Sequence, residues 1–369
     1  MAILLAGCQR PQVIGVHCPK KSSLALSYQP HFKVDYYDGF KVITIWGRDT
    51  ADVTERYVLL PAGKPAPIGF ENATLIEKPV RGSVALATTH TALYSKLGIV
   101  DSLFAVGNAA MIFDTAVLTA IHTGRIQNVG SGEYNTELIA RLRPSFVLHS
   151  GNFEGGDKMQ AKLNSMGVKT VFCPEYIEQN PLARAEWIKF LAAFYDLEEK
   201  ADSLFKITEK NYLKLKQLAV AVKRKPSVFC NMPYKEVWYM PTGNNYTAQL
   251  IADAGGDFLW KNEKPNNGLN LTLDFEAVYA RAAHADVWLV NALVNSLREI
   301  ALADPRNKNF DAFRRQNVYN YTRRTTTNGG IDYWESGVVN PDIALADLIK
   351  IFHPQLLPNH QLYYYKKLQ

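Results

Sequence analysis

Two adjacent arginines, Arg323-Arg324, lead into a polar loop that closes on two glycines, Thr325-Thr326-Thr327-Asn328-Gly329-Gly330. Neighbouring guanidiniums repel unless each is solvated or meets an anion. The pair is therefore either a solvated loop or a receptor for carboxylate or catecholate oxygens, which the guanidinium fork matches. Aromatic side chains fall at predicted loop positions in both halves of the chain: Phe113, Phe153 and Tyr176 in the first, Tyr234, Trp238, Tyr239, Tyr246, Tyr333 and Trp334 in the second. Flat rings in that number suit a large planar ligand. Tyr234, Trp238 and Tyr239 do not alternate as a strand would, so some of them must belong to the core. Thr89, His90, Glu154 and Glu175 share the first-half loops. His90 stands at a predicted helix start, and imidazole or tyrosinate can hold ferric or haem iron. A lone histidine is more often a satisfied polar group, so no metal ligand is assigned. His122, His149 and His284 lack an acidic or cysteine partner at ligand spacing and read as structural.

The same loops argue against catalysis. The sequence has no G-x-S-x-G elbow, no H-E-x-x-H, no P-loop and no G-x-G-x-x-G after a strand. The expected role is binding without chemistry and without a cofactor. An enzyme with an unfamiliar site, or a sensor built on the same lobes, stays open as an alternative.

These residues need a scaffold, and two similar stretches outline one. Asn135 to Leu148 reads as a short helix, capped by Asn135 or Thr136 and stopped by Pro144, that runs into a buried strand. Leu271 to Val290 repeats the pattern about 140 residues later. Each helix carries a glutamate in its first turn, Glu137 and Glu276, where the helix dipole favours a carboxylate by about 0.3–1 kcal/mol. From Val84 the chain alternates strand and helix: Val84–Ala87, Thr88–Leu97 closed by Gly98, Leu103–Val106, Phe146–Leu148, Thr170–Phe172. Between about 183 and 222 strands vanish, and Ala201, Leu204, Phe205, Tyr212, Leu215 and Ala219 recur at helical spacing. The expected fold is α/β, two Rossmann-like lobes joined by one long helix, with a ligand cleft between them at the strand ends. The expected divisions are a tether over 1–30, a first lobe over 31–180, connecting helices over 181–225 and a second lobe over 226–369. Strands over 31–48 and 54–62 precede the alternation and have no assigned role.

Composition narrows the partners. With 369 residues, 47% apolar and 21% charged, the chain is long enough for two lobes. A net charge of +6 and a single dense basic tract, Lys223-Arg224-Lys225, exclude nucleic acid as an expected partner. No apolar run reaches the roughly 18 residues of a membrane span. Leu5-Ala6-Gly7-Cys8 resembles a bacterial lipobox, so lipid attachment at Cys8 is expected to hold the protein at a membrane. Cys18, Cys173 and Cys230 show no zinc-like spacing, and a disulfide among them cannot be deduced.

Taken in order, several segments resemble the periplasmic substrate-binding proteins of ABC importers for ferric siderophores, haem and cobalamin. They are Val84 to Gly98, Asn135 to Leu148, Leu163 to Val168, Gln249 to Gly256, Leu271 to Val290 and the Trp334-Glu335 region, which together span about residues 80 to 353. The resemblance implies that Glu137 and Glu276, one on each lobe, dock onto arginines of the permease subunits. It also implies a periplasmic, lipid-anchored protein whose cleft takes a ferric siderophore, with cobalamin second and haem third. Thr89, His90, Phe113, Phe153, Tyr176, Tyr234, Trp238, Tyr239, Arg323, Arg324, Tyr333 and Trp334 are the expected ligand contacts. The strand-rich segment up to residue 80 departs from that family.

Overall fold

The computed structural model describes residues 18–28, 30–47, 53–151, 156–264 and 270–369. Cys8, Phe153 and Glu154 lie outside them. Two parallel sheets form the two lobes. In the first the strand order is Thr170–Phe172, Phe146–His149, Ser83–Ala85, Leu103–Val106, Gln127–Asn128, every neighbouring pair parallel. In the second it is Asp257–Phe258, Ser227–Cys230, Val287–Val290, Val318–Asn320 and an antiparallel edge, Lys366–Lys367. Phe146–His149 and Val287–Val290 are buried along their whole length, as strands covered by helices on both faces must be.

Local chemistry sets the helix ends. Asn135 accepts a bond from the Leu138 amide at 2.9 Å, and Asp274 accepts one from the Ala277 amide at 2.7 Å. These side chains cap the helices Thr136–Leu142 and Phe275–Ala282. Thr88–Leu97 stops at Gly98, whose φ of 67° lets its own amide and that of Ile99 close back on Ser95 and Tyr94.

The lobes are joined through Glu198–Val220, a single helix of 23 residues and about 35 Å. It buries Ala201, Phe205, Thr208, Tyr212 and Ala219 and packs against Pro341–Phe352. Two shorter helices precede it, Pro181–Glu186 and Ile188–Tyr195. Most of their residues are buried, so this stretch is core as well as connector. Among the described residues no helix is long and apolar enough to cross a membrane.

The segment without an assigned role is a third sheet, ordered Ser22–Ser23, Phe32–Tyr36, Lys41–Trp46, Val53–Pro61, Thr74–Lys78, with only the last pair parallel. It is fixed to the connecting helices. Phe32 packs on Trp187 and Phe190, and Lys41 reaches Ala193, Asp196 and Glu198. Buried Glu186 accepts the amides of Ser27 and Tyr28 at 2.8 and 3.0 Å and pairs with buried Lys189 at 2.9 Å. The tether expected over 1–30 is thus corrected for residues 18–28. Backbone amides there are held by a buried carboxylate, and Tyr28 stacks edge-on against Phe205.

Candidate functional site

The carboxyl ends of the strands converge on a cavity of about 350 Å³. Cys230 and Asn231 reach it from Ser227–Cys230, Leu289 to Asn291 from Val287–Val290, and Tyr321 follows Val318–Asn320. Tyr246 enters from the start of its own helix. Tyr176 and Arg184 come from the other side, on the turn after Thr170–Phe172 and the helix Pro181–Glu186. Crevices outside the carboxyl ends of parallel strands are where open α/β sheets bind ligands.

Arg184 is the cation of this cavity. It is only 5% exposed, and its guanidinium lies 5.3 Å from the Tyr246 ring and 5.8 Å from the Trp334 ring. One terminal nitrogen stands 3.4 Å from Glu175 Oε1, while Nε has no hydrogen-bond partner. Burial works to raise the Glu175 pKa, but His90 and Arg184 outweigh it and hold the group near 2. Arg184 is thus ringed by aromatic faces, held by one carboxylate, and left with Nε unpartnered. That arrangement accepts an anion. Opposite it, Tyr333 stacks on Tyr321 at 4.7 Å and 8°, and Trp334 meets Tyr321 edge-on at 5.6 Å. Burial, opposed by Arg184, pushes the Tyr246 phenol up to about 12, so this wall is neutral.

The expected residues divide. Tyr176, Tyr333 and Trp334 line the cavity. Trp238 does not: it is wholly buried against Phe229, Trp288 and Phe310, with Nε1 donating to the Cys230 carbonyl at 2.8 Å. Tyr234 and Tyr239 are exposed and outside the cavity wall. Tyr239 lies on the two-stranded antiparallel sheet that pairs Trp238–Pro241 with Asn270–Leu273, and that alternation sends Trp238 inward and Tyr239 outward. His90 is fully buried below the floor, and neighbouring Thr89 is half-buried and off the wall.

The arginine pair is also split. Arg323 is exposed and lines no cavity described here. Arg324 bonds Asp332 at 2.5 Å and lies 4.6 Å from the Phe113 ring and 4.3 Å from the Tyr363 ring. With Phe113 it lines a separate cavity of about 280 Å³. There the two lobes touch. Buried Glu335 accepts the amides of Phe113 and Asp114 at 2.7 and 2.9 Å, and Thr326 donates to the Ala110 carbonyl at 3.2 Å. Gly330 sits so close that a Cβ there would lie 2.1 Å from the Met111 carbonyl oxygen, which is why this loop ends in glycine. Burial raises the Glu335 carboxyl to about 7 against the pull of the two amides.

Arg184, Tyr321 and Tyr365 were not foreseen. Arg184 lies in a stretch that reads as connector. The run Tyr363-Tyr364-Tyr365 beyond the closing helix was the available signal for the tail. Glu137 and Glu276 both face solvent, paired at 2.7 Å with Lys162 and at 2.8 Å with Arg306. The Lys162 hydrogen bond holds the Glu137 carboxyl below its ordinary value. Cys18, Cys173 and Cys230 are free thiols.

Known proteins resemble this chain in sequence or in fold. An uncharacterised lipoprotein of Methanocaldococcus jannaschii is 25% identical over 372 residues, covering 94% of this chain and 86% of its own length. A structure from Staphylococcus epidermidis, described as a possible iron-binding (periplasmic solute-binding) protein, has a TM-score of 0.59 at 16% identity and covers 74% of this chain and 99% of that one. The periplasmic vitamin B12 binding protein BtuF of Vibrio cholerae has a TM-score of 0.53 at 13% identity and covers 74% and 96%. The family model described as periplasmic binding protein matches residues 84–325, which takes in both parallel sheets apart from the short antiparallel edge strand of the second and a single residue of the first. Two parallel lobes, a helical connection and a cavity at their strand ends agree with that match: the chain belongs to the periplasmic binding protein family.

Proposed function

We propose that the protein is the capture component of an ABC importer, taking an anionic, flat-faced chelate of the ferric-siderophore class into the cleft and passing it to the permease. The observation that carries this reading is Arg184, buried between Tyr246 and Trp334 with Nε unpartnered on a cavity wall. The cavity's 350 Å³ is near the small end of ligand sites, which favours a compact chelate over a corrinoid. The stacked pair Tyr321 and Tyr333 supports a second reading, a tetrapyrrole on an aromatic wall, in line with what BtuF is named for. Lipid attachment at Cys8 would keep the protein at the periplasmic face of a membrane, a reading supported by the lipoprotein relative.

Trp334 lines the cavity, so tryptophan fluorescence tests the reading. Purified protein is titrated with ferric siderophores, haemin and cyanocobalamin, with inner-filter correction. The expected result is saturable quenching by an anionic ferric chelate. Quenching by cyanocobalamin alone would replace the first reading with the second, and silence from all of them in folded protein would overturn both.

A further inference from the structure

We propose that His90, Cys173 and Glu175 form a buried site for one divalent transition-metal ion of zinc's type, beneath the floor of the cleft. One ligand atom from each lies within 4.8 Å of the others, and all three residues are buried. A tetrahedral ion with zinc-like bonds sets its ligand atoms about 3.5 Å apart, so side-chain rotation suffices to close the set. Imidazole, thiolate and carboxylate together suit zinc or cobalt rather than magnesium or calcium.

The fold builds this place deliberately. His90 is in the first turn after Ser83–Ala85, and Cys173 and Glu175 follow Thr170–Phe172. Between those strands in the sheet lies Phe146–His149, whose last carbonyl accepts the Cys173 amide at 2.8 Å. Three adjacent strand ends therefore meet at one point. His90 Nε2 lies 3.1 Å from the Cys173 carbonyl, but other polar atoms there are unsatisfied. His90 Nδ1 has no hydrogen-bond partner, nor does either ring nitrogen of His149, a residue 4% exposed. Buried polar atoms are nearly always partnered, so a cluster that is not calls for an explanation, and an ion supplies one. Glu175 is divided in a way that suits ligation. Oε1 faces Arg184 at 3.4 Å, and Oε2 is 3.3 Å from His90 Nε2. Arg184 would orient the carboxylate from behind, as second partners of metal ligands do. On binding, the Cys173 thiol loses its proton to solvent as the metal–sulfur bond forms, and a water completes the fourth position.

The site does not depend on the identity of the cargo, so its failure would leave ligand capture standing. The test uses the full chain expressed with added zinc, and separately with added cobalt, followed by metal analysis of the purified protein. One equivalent of metal is expected, with a sulfur-to-cobalt charge-transfer band in the cobalt form. Cys173→Ser, a near-isosteric change whose folding is checked by thermal melting, should lose that band and most of the metal. Metal-free wild-type protein from both preparations would overturn the proposal. So would a cobalt spectrum that Cys173→Ser leaves unchanged.

Discussion

At the scale of single residues, what a buried charge is given to do matters more than its presence. Arg184 is held by one carboxylate and two rings, and lysine can supply its charge but neither its fork nor its stacking plane. R184K should fold and melt near wild type yet bind the captured chelate about ten- to a hundredfold more weakly, the range of a lost charge-assisted hydrogen bond. Fluorescence titration beside a thermal melt checks this, and unchanged affinity would remove Arg184 from the site. Glu335 makes the opposite case. Burial lifts its carboxyl from 4.5 to about 7, so the folded state holds a proton that the unfolded chain has released. Its stabilising contribution is complete below pH 4.5 and is lost as pH rises through 7, a change of up to about 3 kcal/mol. Urea unfolding at pH 5 and pH 7.5 should show wild type losing more stability than E335Q over that interval. Parallel losses would exclude the group as the source.

At the scale of elements, the periodic signals were readable and the packed ones were not. Thr88–Leu97, Leu103–Val106 and Thr170–Phe172 begin and end where strand–helix alternation and glycine placed them. Those signals are local and need no knowledge of neighbours. Arg184 and Trp238 were misread because their surroundings come from distant segments. Helix Pro181–Glu186 looks like connector until Tyr246 and Trp334 close over it, and Trp238 looks like a loop residue until Asn270–Leu273 pairs beside it. The N-terminal sheet was visible as strands, but its attachment depends on Glu186 as well as Phe32 and Lys41, whose partners no periodicity reveals. E186A would strand the amides of Ser27 and Tyr28 and leave buried Lys189 with Asp202 and the Ala25 carbonyl alone. A loss of about 3–5 kcal/mol is expected, as for other broken buried pairs. Denaturant unfolding measures it, and hydrogen exchange at Ser27 and Tyr28 should accelerate more than exchange in Val287–Val290. Uniform acceleration would mean that the sheet and the second lobe unfold as one unit.

At the scale of the molecule, each of the two lobes presents an exposed glutamate at the start of a capped helix. Glu137 and Glu276 occupy the first turn of corresponding helices, each beside a cation of its own lobe, Lys162 and Arg306. Pairs this exposed add little to stability, so the carboxylates remain free to exchange partners with a basic surface. The proposed delivery step needs that exchange, and it needs both lobes because a single contact leaves the binding protein free to swivel on the permease. Charges in such a rim act on encounter and register more than on residence. E137Q and E276Q should therefore each slow association with permease in lipid nanodiscs, and the double variant more than either. Ligand affinity and melting temperature should stay at their wild-type values. The defect should shrink as salt rises toward physiological strength and above, where the Debye length falls to about 8 Å and less. Association that ignores both substitutions at low salt would mean that the lobes meet their partner through other residues, and the paired helices would then owe their glutamates to the helix dipole alone.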